Sequence, residues 1–164
     1  MQQKPVIRTV TPSDLDIVTQ IEAECFPQAE AAPRSSFADR IKLFPSHFFL
    51  LEADGVAAGF INGMVTSQPT ISDTMFADAS LHEEAGDWQS VFGLDVLPAF
   101  RHRGFAAKLM EHLIAHARQE GRRGVILTCK EHMIGYYQRF GFVDNGISAS
   151  THGGAVWHDM TLRF

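Results

Sequence analysis

Gly93-Leu94-Asp95-Val96-Leu97-Pro98-Ala99-Phe100-Arg101-His102-Arg103-Gly104-Phe105-Ala106-Ala107-Lys108-Leu109 is the stretch on which the reading of this chain turns. A run of strand formers stops at Pro98, which cannot donate to a ladder, and a turn carrying Arg101, Arg103 and Gly104 opens a long helix. The first N–H groups of a helix have no partner within it and lie at the positive end of its dipole, so this turn is a candidate site for phosphate oxygens. Gly104, with the small Ala106 and Ala107, lets a diphosphate approach the backbone closely. The competing reading is a helix start that carries ordinary surface arginines. Neither a P-loop nor a Gly-x-Gly-x-x-Gly fingerprint occurs, which argues against a Walker-type NTPase or a dinucleotide-binding Rossmann unit.

The periodicity on either side predicts alternating elements. Upstream come a strand at Val6–Val10, a helix from Thr11-Pro12-Ser13-Asp14 to Phe26-Pro27, and a second helix from Ser35 to Leu43. His47–Ala53 and Val56–Thr66 flank Asp54-Gly55, a two-residue hairpin signal, and so pair antiparallel. Residues 68–87 read as loop with a helical turn near Thr74–Ala79, and Ser90–Val96 as the next strand. Arg101–Glu120 carries Phe105, Leu109, Leu113 and Ala117 on one face, and Gly121 caps it. A buried strand at Val125–Cys129, a helix at Met133–Phe140 and two closing strands, Phe142–Ser148 and Ala155–Leu162, complete a mixed α/β (α+β) order.

At 164 residues, with 45% hydrophobic and 20% charged side chains, the chain is expected to form one soluble domain. Fourteen basic against nineteen acidic residues give −5, a balance without the basic field that nucleic acid requires. No apolar run approaches a membrane span and Met1–Asp16 has no leader pattern. Two cysteines, Cys25 and Cys129, read as packed thiols in a reducing cytoplasm. His112 and His116 stand four apart on a helix, but on its polar face and without the glutamate of the metalloprotease motif, so no metal is expected.

Arg101-His102-Arg103-Gly104-Phe105-Ala106 resembles the Arg/Gln-x-x-Gly-x-Gly/Ala signature of the GNAT N-acetyltransferases, which bind acetyl-CoA through its pyrophosphate. Leu94-Asp95-Val96 with Pro98 resembles that family's fourth strand, and Tyr136-Tyr137-Gln138-Arg139-Phe140-Gly141-Phe142 its Tyr-containing C-terminal motif. Glu22-Ala23-Glu24-Cys25-Phe26, Pro98-Ala99-Phe100-Arg101 and Cys129-Lys130-Glu131 are similar to segments of the arylalkylamine (serotonin) N-acetyltransferase branch.

The resemblance implies a GNAT fold, with a mixed, mostly antiparallel central sheet flanked by helices. It also implies acetyl-CoA as cosubstrate, a small primary amine as acceptor, direct transfer without a metal, and a monomer or homodimer. Leu94, Asp95 and Val96 would pair with pantetheine, while Arg101 and the amides of His102, Arg103, Gly104, Phe105, Ala106 and Ala107 hold the diphosphate. Phe26 and Pro33 would line the amine pocket with Phe92 and Thr128, the last where the branch has an apolar residue. Tyr137 would protonate the departing thiolate.

The branch's two strand histidines align with Ser90 and Phe92. Phe92 moves no proton, and the Ser90 hydroxyl is at most a link in a chain of waters. Glu22, Glu30, His82, Glu83 and Asp87 are the remaining candidates for a base. Acetylation of a protein N-terminus or lysine is the alternative activity, and a non-catalytic CoA-binding module the alternative class.

Overall fold

A computed structural model describes residues 4–164. The part of the leader reading that rests on residues 1–3 lies outside them. Two sheets form the frame. The first runs in the order β1 (Val6–Thr9), β2 (Phe48–Ala53), β3 (Val56–Asn62), β6 (Gly93–Val96), all antiparallel. The second runs β4 (Val65–Thr66), β5 (Trp88–Val91), β7 (Gly124–Cys129), β9 (His158–Arg163), β8 (Val143–Ile147), with only the β5–β7 pair parallel. This is the mixed, mostly antiparallel sheet flanked by helices that the sequence led us to expect.

Side chains alternate across a strand, and both faces of β2 are covered. Phe48 and Leu50 point toward α1 (Leu15–Cys25) and α2 (Arg34–Leu43), whereas Phe49 and Leu51 meet Leu109, Met110 and Leu113 of α4 (Phe105–Gln119). That double burial explains why the strand reads as an unbroken apolar run. Asp54 (φ 55°) and Gly55 (φ 81°) make the expected hairpin turn, both in the left-handed region.

Several boundaries differ from the sequence-based expectation, each for a local reason. The strand expected over 90–96 is two strands in different sheets, interrupted at Phe92, and the run over 56–66 is likewise two, interrupted at Gly63-Met64. Ser90 N–H donates to the Met64 carbonyl and Phe92 N–H to the Asn62 carbonyl, so the breaks face each other. A Cβ on Gly63 would overlap the Ser90 carbonyl oxygen. The long helix starts at Phe105, not Arg101, because His102 (φ 66°) and Gly104 (φ 78°) are left-handed and cannot continue it. Residues 68–87 hold a short α3 (Asp73–Ala77), capped by the Ser72 hydroxyl, which accepts from Met75 N–H. The last helix, α5, spans only Ile134–Gln138. Among the described residues no helix is long and apolar enough to cross a membrane.

Candidate active site

Because β5 pairs with β7 only as far as Val91 and Leu127, and β6 pairs only with β3, the two sheets part beyond Phe92. A cavity of about 780 Å³ occupies the gap. Its walls come from the end of α1, strands β6 and β7, the Arg101–His102 turn, α5, and the segment carrying Ser150, His152 and Trp157. Among the described residues the edge of β6 toward β7 has no strand partner, which leaves Leu94 and Val96 able to meet an extended amide-bearing chain. The Val96 carbonyl already accepts from Arg101 Nε (3.0 Å) and from the Cys25 thiol (3.4 Å), so a ligand amide there must displace Arg101.

At one end of the gap stands the α4 N-terminus. Its first rung is Lys108 N–H to the Gly104 carbonyl, so the amides of Phe105, Ala106 and Ala107 have no helical acceptor. A Cβ on Gly104 would meet nothing within 4 Å, which puts open space beside that backbone. This combination suits a diphosphate. The side chains around it divide the work. Ala106, Arg101 and His102 line the cavity. Phe105 is buried in the core, and Arg103 stacks over the Phe105 ring at 4.7 Å and pairs with Asp54 at 3.0 Å. Ala107 is half-buried and is not among the lining residues.

Phe26, Phe92 and Thr128 also line the cavity, joined by Phe76, Ile71 and Trp157. Pro33 does not: it is exposed and stands at the N-cap of α2. Nor does Ser90, whose fully buried hydroxyl donates to the Met64 carbonyl at 2.7 Å. Its side chain serves the strand break and has no path to the cavity.

Tyr136 and Tyr137 both line the site, their rings edge to face at 5.3 Å. The short α5 runs along the wall and presents both to the cavity. Burial, with the charges of Cys129, Tyr136 and Asp95 adding to it, raises the Tyr137 phenol well above its usual range. It therefore enters any reaction protonated.

In the cavity floor lies a group that sequence reasoning described only in part. Glu22 from α1 and Asp95 from β6 are both almost fully buried, with carboxyls within hydrogen-bond reach of each other. Glu22 was a candidate base on residue type alone, and Asp95 was read as backbone only. The strand alternation that turns Leu94 and Val96 to one face turns Asp95 to the other. Burial and then the neighbouring Glu22 charge raise the Asp95 carboxyl well above the carboxylate range. Ala32 N–H donates to Glu22 Oε2 at 2.9 Å. Opposite them is Arg40, 2% exposed, donating to Asn62 Oδ1 and the Phe76 carbonyl. Its guanidinium lies against the Phe37, Phe76 and Phe92 rings at 4.7–5.3 Å. Burial lowers the guanidinium to about 10, against the pull of Glu22 and Asp95.

Of the other candidate bases, Glu30 lines the cavity but is held by Lys130 at 2.8 Å. His82, Glu83 and Asp87 lie elsewhere. Among the described residues, His112 and His116 share no group of candidate metal ligands. His112 packs edge-on to Phe49, whereas His116 joins His47, Glu120, His82 and Glu84 at the far end of α4. Gln89 donates both amide hydrogens to the Gly63 and Ser90 carbonyls, so its oxygen accepts from His47 Nδ1–H. His82 Nδ1 accepts from Val65 N–H, which puts the ring proton on Nε2 toward Glu84. His47 Nδ1 is thus committed to Gln89 and His82 Nδ1 to Val65, and Arg122 bridges both carboxylates.

The family model described as the acetyltransferase (GNAT) family matches residues 15–142. Glucosamine 6-phosphate N-acetyltransferase 1 of Oryza sativa subsp. japonica is 25% identical over 121 residues, 74% of this chain and 68% of that protein. Serotonin N-acetyltransferase of Mesocricetus auratus is 25% identical over 158 residues, 93% and 74% respectively. Among solved structures, the GphF GNAT-like decarboxylase in complex with isobutyryl-CoA superposes with a TM-score of 0.83 at 22% identity, covering 96% of this chain and 98% of that one. That likeness is one of fold.

The buried cation yields a stability prediction. Arg40→Met leaves the carboxyl pair without its counter-charge and should cost about 3–5 kcal/mol in chemical denaturation. Adding Glu22→Gln should restore part of the loss, because the uncompensated charge goes with it. If the two substitutions prove additive, the charges do not interact.

Proposed function

The chain belongs to the GNAT acetyltransferase family, and from that premise we propose that it is an acetyl-CoA-dependent N-acetyltransferase for a small primary amine of the arylalkyl or alkyl type. One observation carries the reading: a single cavity joins the unpaired amides at the start of α4, the free edge of β6 and an aromatic recess built by Phe26, Phe76, Phe92 and Trp157. The first of these features suits a diphosphate, the second a pantetheine arm, and the third the apolar body of an amine. The similarity to serotonin N-acetyltransferase over most of both chains favours the same acceptor class.

In this reading the amine nitrogen attacks the thioester carbonyl directly. The C–N bond forms, the C–S bond breaks, and the sulfur takes a proton from Tyr137 while the amine gives one up. Tyr137 suits the donor's role because its phenol, kept protonated through neutral pH by burial, lines the cavity and can hydrogen-bond the developing thiolate as the C–S bond breaks. Arg101, now folded onto the Val96 carbonyl, would swing aside as the arm settles on β6.

Thiol release from acetyl-CoA over a panel of phenylethylamine, tryptamine, spermidine and an unacetylated peptide tests the acceptor class. The aryl amines should turn over fastest. Spermidine or the peptide outpacing them would overturn the assignment, and thiol release by none would favour a CoA-binding module. Tyr137→Phe should lower kcat roughly 10- to 100-fold with little change in acetyl-CoA affinity, and Tyr136→Phe should do much less. Full kcat in Tyr137→Phe would remove that residue as the acid. Gly104→Glu should weaken acetyl-CoA at least tenfold, about 1.4 kcal/mol, by calorimetry. Gly104→Ala, which suffers the same left-handed strain without the charge, is its control.

A further inference from the structure

We propose that the Glu22–Asp95 carboxyl pair, opening onto the cavity beside Gly93, is the proton acceptor for the attacking amine. The inference rests on the N-acetyltransferase reading and supplies the base that Ser90 and Phe92 cannot.

Apart from the contact of the two carboxyls with each other, four polar atoms at this spot are buried without a partner among the described residues: Glu22 Oε1, both Asp95 carboxyl oxygens and Asn62 Nδ2. Three of them converge on one small space. A Cβ built on Gly93, itself part of the cavity wall, would lie 3.1 Å from Asp95 Oδ1, 3.5 Å from Asn62 Nδ2 and 3.6 Å from Glu22 Oε1. Because residue 93 is glycine, that space is a recess the size of one small polar group. Buried polar atoms cost free energy unless something bonds them, and three converging on one recess mark a place for a hydrogen-bonding guest. An amine nitrogen with its N–H groups aimed at two carboxyls satisfies them. The Asn62 amide is held in one orientation, since its oxygen accepts from Arg40, so its NH₂ must face the recess.

The charges around the pair suit a base. Arg40 from α2 supplies a positive charge behind it, Cys25 from α1 flanks it, and Tyr137 from α5 is close enough for the Asp95 charge to raise its phenol. Two carboxyls this close share one proton, and the pair keeps a negative charge on which to take another. The balance closes across the gap. The amine enters as ammonium and its nitrogen loses two protons: the pair takes the first before attack and passes it to solvent, then takes the second as the amide forms, while the Tyr137 proton passes to sulfur to give the free thiol. The pair and Tyr137 then exchange the proton each has gained or lost through solvent.

Free primary amines titrate near 10, so at pH 7 almost all of the amine is protonated in solution, and the pair must take up the proton held in the site. Glu22→Gln and Asp95→Asn should each lower kcat with the best amine at least tenfold at pH 7. The loss should fall below about threefold at pH 10, where solvent has already deprotonated the amine. Acetyl-CoA affinity by calorimetry should hold throughout. Gly93→Ala, which fills the recess with a methyl group, should raise KM for the amine at least tenfold and leave acetyl-CoA affinity alone. A loss that is the same at both pH values, or no loss, or an unchanged amine KM in Gly93→Ala overturns the proposal.

Should the carboxyl variants fail to fold, the unaltered protein decides with a fluorinated amine of lower pKa. An acid limb at one pH for both amines supports the pair, and a limb that follows each amine's own pKa overturns it. If the unaltered protein acetylates no amine, the N-acetyltransferase reading falls and the base with it. An active protein with a pH-independent defect in Glu22→Gln sinks only the base.

Discussion

The close approach of the Gly63 backbone to the Ser90 carbonyl is the constraint on which the rest of the structure depends. Any side chain at position 63 would overlap that oxygen, and the contact sets both strand breaks, Gly63-Met64 on one side and Phe92 on the other. Without the breaks, β3 and β6 would continue straight into β4 and β5 and the sheet would close over the place where the cavity stands. The buried Ser90 hydroxyl and Gln89 amide bond backbone carbonyls at the same junction and keep it satisfied.

Parting the sheets gives β6 a free edge and puts chemically different groups on the two walls. One wall holds Tyr137, a neutral phenol kept so by burial. The floor holds the carboxyl pair with Arg40 behind it. The charges must come together, since an isolated buried carboxylate or guanidinium carries a desolvation cost that only a partner offsets. The aromatic rings of Phe37, Phe76 and Phe92 complete the cage around Arg40. Phe92 thus takes part in the strand break, the cation cage and the cavity lining at once.

At the opposite end of α4, His47, His82 and His116 gather with Glu84, Glu120 and Arg122. Burial alone would raise the Glu84 carboxyl, but hydrogen bonds from His47 and His82 hold it at about 2. Through these ion pairs the cluster ties the 82–84 segment to the helix end.

Local rules sufficed wherever a short segment decides its own conformation. The Asp54-Gly55 turn, the apolar stripe of α4, the glycine-bearing turn at Arg101–Gly104 and the short apolar β7 were legible in the sequence, because turn chemistry and periodicity act over a few residues. Glu22 was visible as a candidate base by residue type. Its partner was not, since Asp95 is 73 positions away and only the register of β6 against β3 sends its side chain into the cavity floor toward α1. Ser90 and Pro33 failed as site residues for the same reason: which side a strand residue faces at a break, and where a helix cap lies relative to a cavity, are set by contacts distant in sequence. The sequence by itself determined the order of elements and the turn that opens α4. The opening of the sheet, the pairing of the buried carboxyls and the placing of Tyr137 across from them were decided by tertiary structure alone, because each depends on the burial and proximity of residues that no local pattern brings together.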